Sequence, residues 1–370
     1  MMELSPSETL LFALLRISLQ GQLTDRAPFE GIAASVWKEC RSLAGQQGVT
    51  ALSYDGVMLL PPDLQPPKEV KISWAISTEA CEDAFRRRCA ISARLSEFFT
   101  SHGIKTVQLK GAALSPYYSK PEHRQGGDID IYTFSSDPEK MSDAEANHLA
   151  DELIRQQGIP VDTEVNDKHS VFSYEGVSVE NHKTFLNTTV YPLAARTDRL
   201  LLRLFDPQEI SPDGEHRIMA PSVAFNTVFL PFHAAQHYCG AISLHHVFDW
   251  ACLVKKHGLH LPKEITDKRF LRFVYALTWI CDNYLGTSIN VQDSKEIQEE
   301  ADIMLGQMLR PPYRGLAPMN GKAAMVLYKL RRRIYRRKIS KRVFRRSTSK
   351  PLLRSILRHL RQPKRIFTAT

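Results

Sequence analysis

The stretch Val107–Phe134, VQLKGAALSPYYSKPEHRQGGDIDIYTF, decides how this chain is read. Its two ends look like strands, KTVQLK before the turn and DIDIYTF after it, with GAALSPYY opening a short helix between them. Residues two apart in a strand share a face, so Asp128 and Asp130 project together while Ile129 and Ile131 enter the core. Two carboxylates this close repel each other unless a cation joins them. A bare DxD also fits the solvated face of an edge strand. The residues leading into it favour a metal–phosphate site instead. Gly126 and Gly127 admit a close backbone approach, while Lys110, the helix start at Gly111 and Arg124 offer charge and N–H groups to a phosphate. Paired acids suit Mg²⁺ (or Mn²⁺), which binds through carboxylates and substrate phosphate oxygens and clamps the oxygens of a phosphoryl displacement.

Composition sets the frame around this core. The chain has 370 residues, 43% hydrophobic and 24% charged, which is globular rather than disordered. Its apolar runs are too short and interrupted to span a bilayer. The start, MMELSPSE, carries acid where a signal peptide needs a basic region, so export is not expected. Six cysteines lie without CxxC spacing, which argues against a zinc knuckle or disulfide framework and for a cytoplasmic protein with reduced thiols. The net charge of +9 is unevenly divided: from Ile303 onward there is no acid but twenty Lys or Arg. Residues 1–302 therefore hold 29 basic against 40 acidic residues, a net of −11.

The spacing predicts capped helices at SPSETLLFALLRIS and ASVWKECRSLAGQQG, then a proline-rich connector over Leu59–Lys71. A long helix is expected from about Thr78 to His102, and another at SDAEANHLADELIRQQG. VDTEVN, HSVFSYEG and VSVENHKTF read as three successive strands with a tight EG turn between the last two. After Ser222 the pattern is helical. The expected organisation is an N-terminal helical segment (1–70), a core (71–220), a helical region closing the cleft (221–325) and a basic amphipathic tail (326–370).

The pattern LKGAAL…YY…R..GDIDIY resembles the uncharacterised nucleotidyltransferase family of the polymerase-β-like superfamily. The leucine-rich first helix, GVTALSYDGV and FHAAQHYC…LHHVFDWACLV resemble that family's layout too, so the likeness covers roughly residues 5–290. It implies an α/β (α+β) nucleotidyltransferase fold with a small mixed sheet, and transfer from an NTP with divalent metal. It also implies a third acid on a neighbouring strand, as metal ligand or base, and Glu180 with His182 two residues on fits that step. An ordinary edge-strand Glu–His pair has the same spacing. The chain departs from the superfamily pattern at Ala112, where a serine or glycine is usual, and at Gly127, where serine often precedes the first acid. Phosphate binding then rests on Lys110 and backbone N–H groups.

His233 and His237 stand four apart on one helix face, but without the Glu of HExxH they read as cleft-lining groups rather than a zinc site. His246 and Asp249 also share a face, either bordering the cleft or pairing to fix two helices. Between Lys329 and Arg365 the tail carries 17 Lys or Arg interleaved with aliphatic residues, the pattern of two basic amphipathic helices over 327–366. The expected partner is an anionic membrane surface at the inner face. Nucleic acid and the acidic body itself compete for the same charge.

Together these readings give Mg²⁺-dependent transfer of a nucleoside monophosphate from NTP to an unknown hydroxyl acceptor. If the tail sits on a membrane, the acceptor would be an envelope glycan or lipid-linked sugar. The alternatives are a phosphotransferase using the same acids and a non-catalytic binding protein acting through the tail.

Overall fold

The computed structural model describes residues 2–163, 168–238, 242–313 and 322–345. Helix α1 (Pro6–Gln20) starts where the sequence signals it: Ser5 and Glu8 form a reciprocal capping box, and Gly21 closes it in the left-handed region. Helices α2 (Ala34–Gln46) and α3 (Thr50–Met58) pack around it. Helix α4 (Lys68–Thr100) begins well before the expected Thr78. Pro67 stands at its N-cap, where the missing N–H costs nothing. Val70 and Trp74 are buried, and the Trp74 indole donates to Thr50 O at 3.0 Å.

The sheet is mixed, four strands in the order β1 (Ile104–Gln108), β2 (Asp128–Ser135), β4 (Val177–His182), β3 (His169–Tyr174). β1 runs antiparallel to β2, β2 parallel to β4, and β4 antiparallel to β3. Between β2 and β3 lies α5 (Asp143–Gln156), entered through a Ser142–Glu145 capping box. The expected EG turn is present: Glu175 and Gly176 have φ of 49° and 77°, as a two-residue hairpin turn requires. Of the expected strand VDTEVN, Asp162 makes only an isolated bridge to Val171, and residues 164–167 lie outside the described part.

The two faces of the sheet differ. Ile129, Ile131, Phe172 and Val179 meet Ile91, Leu95 and Phe99 of α4 and Ala146, Ala150 and Ile154 of α5 in one apolar cluster. On the opposite face β2 carries Asp128 and Asp130 first and Tyr132 next. Tyr132 joins Phe185 at 4.5 Å and Phe205 at 5.5 Å between ring centroids. That aromatic group leads into a helical layer of α6 (Pro192–Arg203), α7 (Val223–His237), α8 (Leu244–His257), α9 (Lys268–Ile280) and α10 (Lys295–Leu309), with the short hairpin β5 (Gln208–Ile210) and β6 (Ile218–Ala220) beside it. A single apolar cluster runs from Leu10 of α1 to Phe344.

Helix α11 (Lys322–Val343) carries the first part of the basic tail. Its C-terminal half is docked: Val343 is buried, Phe344 stacks on Tyr191 at 4.0 Å, and Arg342 pairs with Glu300 at 2.8 Å. Glu300, 1% exposed, also accepts from Arg272 (3.1 Å) and Tyr238 Oη (2.6 Å). The second expected tail helix lies outside the described residues.

Candidate active site

The sheet register assembles the acids. Asp130 is the direct partner of Glu180 across the parallel β2–β4 pair, so their side chains leave the same face. Ligand oxygens of Asp128, Asp130 and Glu180 all lie within 4.8 Å of one another. Leu109 N–H donates to Asp130 O at 2.9 Å, which brings the next residue, Lys110, to the same spot. Lys110 Nζ sits 2.9 Å from Asp130 Oδ1. His182 Nε2 lies 3.0 Å from that oxygen and 3.4 Å from Glu180 Oε2, so it carries the proton it donates to the carboxylates.

This crowding separates the acids electrostatically. Burial opposes the Asp130 charge, yet Lys110 and His182 hold its carboxyl well below the usual range. Glu180 is half-buried and still lowered, chiefly by its hydrogen bond to His182. Asp128 goes the other way: burial and then repulsion from Asp130 raise it. Burial and the three acids pull Lys110 in opposite directions, and the acids prevail, so its ammonium stays charged.

Two groups here carry no clear sequence signal. His169, the register partner of His182, places Nδ1 3.0 Å from Glu180 Oε2. Burial, opposed by Glu180, brings its imidazole down to about 4. Lys168 is deeply buried near Lys110, which depresses it to about 8, against the attraction of Asp130, Glu180 and Asp128.

A cleft of about 470 Å³ faces the acids, lined on the sheet side by Lys110, Gly111, Arg124, Gly126, Gly127, Asp128 and Asp130. His233, His237, His245, His246 and Asp249 line the helical side. Gly111 has φ of +67°, a left-handed conformation that favours glycine, and a Cβ there would also displace the Gln108 amide 2.7 Å away. The segment after it is a 3₁₀ helix over Gly111–Tyr117 rather than the start of an α-helix, with Pro116 inside it.

Two expectations need correction. Arg124 is not a free cation for phosphate. Its Nε and Nη2 grip Asp249 at 2.9 and 2.8 Å, and Nη1 donates to Gln125 O at 3.2 Å. Nor do His246 and Asp249 pair. Asp249 is taken by Arg124 and by Tyr118 Oη at 2.5 Å, whereas His246 Nδ1 accepts from Ser243 N–H at 3.2 Å and caps α8. Helical spacing puts two residues on one face but does not say which neighbours reach them.

His233, His237 and His246 bring one ring nitrogen each within 4.8 Å of the others. Burial holds His233 and His246 well below their ordinary range and His237 down to about 4, so this wall of the cleft is neutral at neutral pH. The backbone N–H on His246 Nδ1 leaves the ring proton on Nε2. With Nδ1 taken by that N–H and Nε2 carrying the ring proton, His246 has no free lone pair for zinc in this arrangement.

A mixed sheet with two acids on one strand, a third in register on its parallel neighbour, and a lysine turn beside them defines a nucleotidyltransferase. The general reaction is nucleotidyl transfer from a nucleoside triphosphate. The chain belongs to the uncharacterised nucleotidyltransferase family, whose model matches residues 33–286. Among solved structures it is similar to an antigenic nucleotidyltransferase-like protein from Paracoccidioides brasiliensis. The two share 14% identity at a TM-score of 0.36, over 56% of this chain and 94% of that one. No curated protein matches the chain.

Proposed function

We propose that the protein transfers a nucleoside monophosphate from an NTP to a hydroxyl acceptor and requires Mg²⁺ or Mn²⁺ to do so. The observation that carries this reading is the trio of carboxylates within 4.8 Å of one another, two of which, Asp128 and Asp130, line the cleft. Three clustered acids form a hard-oxygen donor set that suits a divalent cation. Asp128, Asp130 and Glu180 would hold it. When bound, such a cation neutralises charge on the transferring phosphate and lowers the pKa of an attacking hydroxyl. His182 fixes the orientation of Asp130 and Glu180 through its Nε2–H, and Lys110 keeps Asp130 ionised. The neutral histidines offer hydrogen bonds without adding charge that would compete for the acids. Product analysis tests the reading. Incubation of each NTP with Mg²⁺ should release pyrophosphate; NDP as the product would assign phosphotransferase chemistry instead, and neither product on adding cell-extract acceptors would sink the enzymatic role.

The same reading places the enzyme in the cytoplasm at the inner face of a membrane, with an envelope glycan or lipid-linked sugar as acceptor. Its support is α11. Val326, Leu327, Leu330 and Ile334, 44 to 62% exposed, form an apolar stripe at helical spacing. Arg331, Arg333, Arg337 and Lys338 flank it. Charge alone would attract nucleic acid equally, but only a bilayer also rewards the apolar stripe. Among the described residues no helix is long and apolar enough to cross a membrane, so attachment would be peripheral. Flotation with phosphatidylglycerol vesicles checks this. Leu330→Asp with Ile334→Asp should weaken binding about tenfold or more, since each buried side chain is worth about 1.5–3 kcal/mol. Equal binding by that variant, or binding to RNA but not vesicles, would refute it.

A further inference from the structure

We propose that Arg88, together with the N–H groups of Gly126 and Gly127, binds the β- and γ-phosphates of the incoming nucleoside triphosphate. This rests on the nucleotidyl-transfer reading and names a part of the site that neither the motif nor the three acids reveal.

Two cations of the cleft already have partners. Lys110 is held by Asp130, and Arg124 by Asp249. A triphosphate brings several negative charges into a cleft whose acids are themselves negative, so it needs a cation with free donors. Arg88, on the face of α4 turned toward the glycine loop, provides one. An ideal Cβ at Gly126 would lie 3.8 and 3.9 Å from Arg88 Nε and Nη2, and 3.5 Å from Arg124 Nη1. Both guanidinium groups therefore lie against the same glycine of the loop, within ordinary contact distance.

The two arginines differ in one respect. Arg124 has a buried carboxylate on two of its nitrogens, while Arg88 makes no hydrogen bond or ion pair among the described residues. It is half-buried all the same. A guanidinium held partly out of water beside a second one, with no acceptor, is costly unless an anion completes the site. Burial and then the nearby Arg124 weaken its hold on its proton, while Asp128 is close enough to act in the opposite sense.

The loop adds donors of its own. The N–H groups of Gly126 and Gly127 make no hydrogen bond among the described residues, although both glycines line the cleft. Unpaired amides next to a guanidinium form a cradle for tetrahedral oxyanions. Arg88 is a planar fork suited to a phosphate, and it lies against the glycine loop that leads directly into Asp128. The polyphosphate end would therefore rest between α4 and the glycine loop, and the nucleoside would point toward the histidine wall.

Calorimetry on the full chain with Mg²⁺ tests this, using the tightest-binding of the four NTPs, its monophosphate, and inorganic pyrophosphate. Arg88→Gln should weaken NTP and pyrophosphate about ten- to hundredfold, the loss expected for hydrogen bonds to a charged group. The monophosphate should bind as before, and Arg88→Lys should fall in between. NTP and pyrophosphate binding unchanged in folded Arg88→Gln would overturn the assignment while leaving the nucleotidyl-transfer reading intact. Equal loss of monophosphate would also overturn it, because Arg88 would then support the fold or the nucleoside instead. Failure of the folded wild type to bind any NTP would overturn both.

Discussion

Asp130→Asn is expected to reduce pyrophosphate release by about a thousandfold or more. The substitution keeps shape and volume, so the local packing survives, but it removes the negative charge on which Lys110 and His182 converge. Several kcal/mol of charge stabilisation at a phosphoryl centre depend on such a ligand, and each 1.36 kcal/mol is a factor of ten in rate. Initial rates with saturating NTP and Mg²⁺ read the effect, with circular dichroism to establish folding. Activity within tenfold of wild type would remove Asp130 from the reacting centre. Asp128→Asn should act in the same direction. The two variants also separate the acids, because among the described residues Asp128 has no lysine or histidine contact comparable to that of Asp130.

Asp249→Ala should have the largest effect on stability. Asp249 and Arg124 are buried against one another, and Tyr118 Oη donates to the same carboxylate. Removing the acid strands an arginine and a phenol out of water, a loss of about 3–5 kcal/mol. Urea denaturation would read it as a lower midpoint at unchanged slope. Replacing both partners, Arg124→Met with Asp249→Leu, should recover much of the loss, since a buried pair can give way to apolar residues at little cost. A single-variant loss below about 1 kcal/mol would mean that Arg124 finds another partner or water.

The part of the site legible in sequence was the part that obeys short periods. Asp128, Asp130, Glu180 and His182 follow the two-residue alternation of strands, and the Lys110–Gly111 step announces its turn. Arg88, His169 and Lys168 follow no such rule. Arg88 sits on a helix whose polar face looks like any solvated surface. His169 reads as one polar residue in a strand, and its role appears only once β3 pairs with β4. The partner of Arg124 lies 125 residues away, at a separation where no local pattern reaches. The early start of α4 was hidden for a different reason: four prolines between Leu59 and Lys71 look like a linker, yet the last of them merely stands at a helix N-cap.

The order in which these parts come together follows from the parallel pairing of β2 with β4. The chain cannot join those strands through a tight turn. It must first travel through α5 and β3, so Asp130 and Glu180, neighbours in the sheet, stay 50 residues apart until the crossover closes. Contacts between distant residues form late because loop closure must be overcome first. During synthesis the three acids could gather once His182 has emerged from the ribosome, but Asp249 and the histidine wall arrive dozens of residues later. A nascent chain would pass through a stage with its carboxylates assembled and its Arg124 still unpaired, which makes closure of the helical layer the step that completes the catalytic cleft.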